Sequence, residues 1–68
     1  MKVFRIKMND IDMYVKCIII GGTETPFRVL PTKDKTNAAI YEQYKAEKYV
    51  EILNKQNPAL EFMLEGVK

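Results

Sequence analysis

Residues 37–56 read NAAIYEQYKAEKYVEILNKQ, and the way this stretch divides decides the fold. A helix over the whole span would carry its apolar stripe on Ala46, Tyr49, Val50 and Leu53, at the three- and four-residue spacing of one helical face. Running the stripe backwards puts Glu42 and Gln43 where apolar groups belong. The conflict disappears if 38–41 is a strand and the helix covers about 44–56. Asn57 followed by Pro58 then supplies the stop, since Asn tolerates the left-handed cap conformation and Pro cannot extend a helix.

Outward from this segment the chain alternates. In 2–8, Phe4, Ile6 and Met8 fall on one side and Val3, Arg5 and Lys7 on the other, the period of a half-buried strand. Asn9, Asp10, Ile11 and Asp12 form a turn, because Asn and Asp side chains bond nearby backbone and accept unusual dihedrals. A hairpin follows, its second strand in 13–20, rich in β-branched residues. Strict alternation places Met13, Val15, Cys17 and Ile19 toward the core and Tyr14, Lys16, Ile18 and Ile20 away from it. Gly21 and Gly22 end that strand, and 21–26 reads as a loop. Between Pro26 and Pro31, 27–30 is a short edge strand, and 32–36 is a charged turn. Past the helix, Leu60, Phe62 and Leu64 alternate with Glu61, Met63 and Glu65 as a final strand.

The fold class expected is α+β: an N-terminal β-hairpin, further short strands, one helix packed on a small sheet, and a C-terminal strand. The two strands that flank the helix should run parallel if they share a sheet. With 68 residues the chain buries about 60% of the surface its unfolded form exposes, enough for one small domain over 1–68. Its 47% apolar and 29% charged residues are the balance of a folding chain rather than a disordered one.

Composition also removes classes of chemistry. There is no histidine, the commonest general acid–base, and the one cysteine, Cys17, has no base to make its thiolate. On the core side of its strand, Cys17 reads as a small buried hydrophobe. A structural zinc site wants four Cys or His ligands and only one is present, and an internal disulfide needs a second cysteine. A calcium loop starting at Asp10 would need Gly and Glu where Val15 and Gly21 stand. Gly21, Gly22 and Thr23 lack the Lys-Ser/Thr of a phosphate loop. A non-enzymatic protein without cofactor or metal is expected. The longest apolar run, 17–20, is far short of a bilayer span, and the opening residues lead into a strand rather than an apolar leader. A cytoplasmic location, away from membranes, follows as the expectation.

The run Thr32, Lys33, Asp34, Lys35 and Thr36, then Ala39 and Tyr41, then Ala46, Glu47, Tyr49, Val50 and Leu53 is similar to small, mostly uncharacterised proteins of phages and prophages of Gram-positive bacteria. The resemblance implies a bacterial or viral origin and a role in binding host machinery. It transfers no functional residue, and the segment from Pro26 to Pro31 departs from the pattern.

What remains is surface. The net charge of +2 divides as +3 over residues 1–35 and −1 over 36–68, too mild for the dense basic stripe of a nucleic-acid binder. The outer face of the hairpin brings Val3, Arg5, Lys7, Tyr14, Lys16 and Ile18 together as a candidate interaction surface. Apolar groups on an open sheet face favour a protein partner or self-association, and open sheet edges can accept a strand. Cations beside a tyrosine leave single-stranded nucleic acid as the alternative ligand. The helix residues Lys45, Lys48, Glu51, Asn54 and Lys55 read as a solvated face.

Overall fold

Alternation and β-branching do make strands here. The computed structural model describes residues 2–20 and 27–67, so the loop read over 21–26 lies outside the described residues. In chain order the elements are β1 (Val3–Met8), β2 (Met13–Ile20), β3 (Phe27–Thr32), β4 (Tyr41–Glu42), α1 (Gln43–Gln56) and β5 (Phe62–Val67), with a 3-10 turn at Lys35–Asn37. The class is α+β, with one antiparallel sheet and one α-helix among the described residues.

β1 is the central strand. It pairs along its whole length with β5, from Val3 opposite Val67 to Met8 opposite Phe62. On its other side it meets β2 only at Lys7–Tyr14 and Met8–Met13, and β4 at Val3–Glu42 and Phe4–Tyr41. β2 therefore splays from β1, and the segment before β4 fills the gap, with the Ala39 N–H donating to the Val15 carbonyl at 3.0 Å. β3 pairs with the far side of β2. Since β4 and β5 both run antiparallel to β1, the strands flanking the helix are parallel to one another, as expected, but with β1 between them.

Three expectations change. The strand read over 38–41 is confined to Tyr41–Glu42, because the chain first makes the 3-10 turn, capped by Asp34, and then bridges to β2 through Ala39 alone. The helix, Gln43–Gln56, holds to the expected 44–56 within one residue, with Glu42 extended at its N-cap and Gln43 exposed in the first turn, ahead of the apolar stripe of Ala46, Tyr49, Val50 and Leu53. Asn57 ends the helix at φ −135°, not left-handed. The left-handed residue is Glu61, with φ 50°, which redirects the chain into β5 after Leu60. Finally, β3 runs on through Pro31 to Thr32, as an edge strand can.

The largest correction is in β2. Its pairing with β3 slips between Val15 and Cys17, where a β-bulge at Lys16 opposes two residues of β2 to one step of β3. A one-residue slip exchanges the faces of everything after it. Ile18 now lies opposite Val29, and both pack against the buried cluster of Ile6, Met8, Val15, Leu53 and Phe62. Cys17 and Ile19 move to the outer face. Cys17 is half-buried there rather than a core residue.

The helix covers the inner face through fully buried Ala46 and Leu53 and half-buried Tyr49 and Val50. Tyr49 stands edge-on to both Phe27 and Tyr41, with ring centroids 5.7 and 5.2 Å apart, which ties the splayed β3 and the short β4 to one helix residue. Burial pushes the Tyr41 hydroxyl up, with Tyr49 and Cys17 adding to the shift.

Candidate interaction surface

Parity in β1 and the first half of β2 puts Val3, Arg5, Lys7 and Tyr14 on the outer face, together with Met63, Glu65 and Val67 of β5. Lys16, in the bulge, is exposed. Ile18 is not part of this surface, since the bulge turns it to the core. Of the six residues read from the sequence, the structure gathers Val3, Arg5, Lys7 and Tyr14, keeps Lys16 accessible, and removes Ile18.

Most of the polar members are engaged within the chain. The link from β3 to β4 crosses the outer face, so that the Arg5 Nε donates to the Lys35 carbonyl at 3.1 Å. The Tyr14 hydroxyl donates to Glu65 Oε1 at 3.1 Å, and the Lys35 ammonium lies 3.4 Å from Glu65 Oε2. Burial by itself raises the Glu65 carboxyl, but the Tyr14 hydroxyl, the Lys35 ammonium and the charge of Lys7 more than offset it. The carboxyl is held below its ordinary range. Lys7 pairs with Asp12 across the hairpin at 3.2 Å, and that hydrogen bond and charge hold its ammonium above the ordinary value.

The crossing turn has its own local reason. Asp34 Oδ1 accepts from the Thr36 N–H and hydroxyl at 2.9 and 2.7 Å, and Asp34 Oδ2 from the Asn37 amide at 3.1 Å. A carboxylate with such donors caps a turn and stays ionised, and the Thr36 bonds hold the Asp34 carboxyl low.

Beyond this polar centre the outer face becomes apolar. Cys17 stands opposite Leu30, with Ile19 one step along the same face opposite Arg28. Ile19 and Leu30 are each 46% exposed. Side chains in these cross-strand and diagonal positions lie about 5–8 Å apart, so the three form one patch with the exposed Arg28 and Lys16 at its border. Sequence reading missed Ile19 and Leu30 because parity was carried unbroken through Lys16. The cue was the continuous run from Cys17 to Ile20, which has no polar residue to show which face is which.

One other place was a candidate. A shallow depression at the start of α1 is lined by Lys2, Glu42, Gln43, Tyr44 and Glu47. Its carboxylates suit the positive end of the helix dipole and need no ligand. Among the described residues no three His, Cys, Asp or Glu side chains gather to hold a metal, and no helix is long and apolar enough to cross a membrane. With this geometry in view, comparison with known proteins adds no relative: no family model, curated protein or solved structure matches the chain.

Proposed function

We propose that this chain is a small binding module that acts without catalysis, and that its ligand is another protein, held on the outer face of β2 and β3. The single observation that carries the reading is the patch of Ile19, Leu30 and Cys17 left open beside Arg28 and Lys16. Exposed, clustered aliphatic groups with a charged border suit a protein surface better than a nucleic-acid backbone. The pairing of Lys7 with Asp12 supports the same choice, because it offsets the charge of one cation of this face. The absence of histidine from the sequence supports binding over acid–base chemistry. The resemblance to phage and prophage proteins would make the partner a component of a bacterial host cell.

The test is affinity capture from a Gram-positive bacterial lysate with the wild-type chain and with an Ile19→Asp, Leu30→Asp variant whose fold is checked by circular dichroism. A protein enriched by the wild type and lost with the variant is the expected result. Equal capture by both, or none, overturns the reading. Oligonucleotide binding that weakens steeply with salt would instead establish the nucleic-acid alternative through the remaining surface cations.

A further inference from the structure

The two edges of the sheet are finished differently. In β5, the Asn9 N–H donates to the Glu61 carbonyl at 3.2 Å, so the odd-numbered residues turn their backbone groups toward β1. Strand geometry then turns those of Phe62, Leu64 and Gly66 away from the sheet. The first of these is closed by the helix: the Phe62 N–H donates to Asn54 Oδ1 at 2.7 Å, and the Asn54 amide donates to the Phe62 carbonyl at 3.1 Å. At the opposite edge, Gln56 treats Phe27 of β3 in the same way, at 3.2 and 3.0 Å. Two residues further along that outward series stands Val29, then Pro31, which has no N–H to offer.

The β3 edge is therefore obstructed at both ends, whereas β5 keeps Leu64 and Gly66. Among the described residues no strand lies beyond β5, and no side chain bonds the outward N–H or C=O of these two. The stretch around Glu65 is complementary to itself.

We infer that a second copy of this chain adds its own β5 to this edge, antiparallel, about a two-fold axis through Glu65. Leu64 of each copy then faces Gly66 of the other, and each such pair exchanges both backbone hydrogen bonds. Sizes match on the inner face. A Cβ on Gly66 would lie 3.9 Å from Phe4 Cε1, so the glycine leaves the half-buried Phe4 ring open along one side. The Leu64 side chain of the second copy fills that opening.

On the outer face the same register sets Met63, which is 44% exposed, opposite Val67. Glu65 meets its counterpart at the axis, a position where like charges ordinarily repel. Here each carboxylate is drawn back across β1 to Tyr14 and Lys35 of its own copy. The β5–β5 pairing is isologous and closes on itself, and the obstructed β3 edge does not propagate it into a fibre.

The contact is small, so association should be weak and visible only toward high micromolar concentration. Sedimentation velocity of the full chain over a concentration series should show reversible dimer formation. Gly66→Val adds a side chain where Leu64 of the second copy must lie, and should raise the dimer dissociation constant by at least about tenfold. A synthetic chain with N-methylglycine at 66 replaces the outward N–H by an N-methyl group and should weaken dimerisation similarly, even if Gly66→Val fails to fold. A strictly monomeric wild type overturns the inference and leaves this edge to other proteins. A dimer that survives both changes at position 66, or that is lost in the Ile19→Asp, Leu30→Asp variant alone, also overturns it. Neither result bears on capture of a partner by the β2–β3 patch.

Discussion

Asp12 and Glu61 are the two non-glycine residues with left-handed backbone among those described, with φ 51° and 50°. They differ in what supports them. Asp12 is of a type that tolerates this region, and its side chain holds Lys7 at 3.2 Å. Glu61 is exposed and branches into no side-chain bond, so it bears the steric cost of roughly 1 kcal/mol that glycine avoids. Its backbone carbonyl still accepts from Asn9, which any residue can do. Glu61→Gly should therefore raise stability by up to about 1 kcal/mol, or several degrees in melting temperature, after the greater freedom of an unfolded glycine is subtracted. Asp12→Gly should gain nothing. Thermal unfolding of the two variants beside the wild type checks this, and an equal response from both would refute it.

At the scale of elements, the last turn of α1 does more than pack. Asn54 and Gln56 each present one carbonyl and one amide, the same donor–acceptor pair that a neighbouring strand would offer, and each holds the first residue of an edge strand. Asn54, read from the sequence as part of a solvated face, is half-buried for this reason. Two bonds at roughly 0.5–1.5 kcal/mol apiece predict a loss of about 1–3 kcal/mol for Asn54→Ala. Gln56→Ala should lose a similar amount. Lys55→Ala, which breaks the exposed pair with Glu51 at 3.3 Å, should change stability by no more than about 0.5 kcal/mol. Urea unfolding gives the three values. Amide exchange should quicken at Phe62 in the first variant and at Phe27 in the second.

Strand and helix positions were legible from 3–8, 13–20 and the stripe on Ala46, Tyr49, Val50 and Leu53, since each element's burial repeats at its own period. The bulge at Lys16 was not. A bulge leaves the residue types of a strand unchanged and is defined by which partner residue each one meets, so alternation counted along β2 alone sends Ile18 to the wrong face. The amide clamps were hidden for the same reason, as their partners lie 8 and 29 residues away.

Over the whole molecule, Glu65 links three parts of the chain: β5, Tyr14 of β2 and Lys35 of the crossing turn. Its carboxyl lies below the ordinary range, so the charged form stabilises the fold above the unfolded-state pKa of roughly 4.3. That contribution is lost as pH falls through the lower folded-state value. Asp34 acts in the same direction on the turn itself. Urea midpoints should therefore separate wild type from Glu65→Gln near neutral pH and converge as pH falls below the folded-state value, where the wild-type carboxyl is also uncharged. A separation that stays constant with pH would show that the charge of Glu65 contributes nothing.

By itself, the sequence determined the α+β class, the hairpin, the helix stripe and the poverty of acid–base and metal-binding groups, because periodicity and residue type are properties of the chain alone. The tertiary structure decided which face each residue of β2 presents, which cations remain accessible and which sheet edge stays open. Those depend on register and on side chains meeting across long stretches of sequence. Arg5, Lys7 and Tyr14 are where sequence reading placed them, yet their hydrogen bonds to Lys35, Asp12 and Glu65 turn much of that surface inward on the chain.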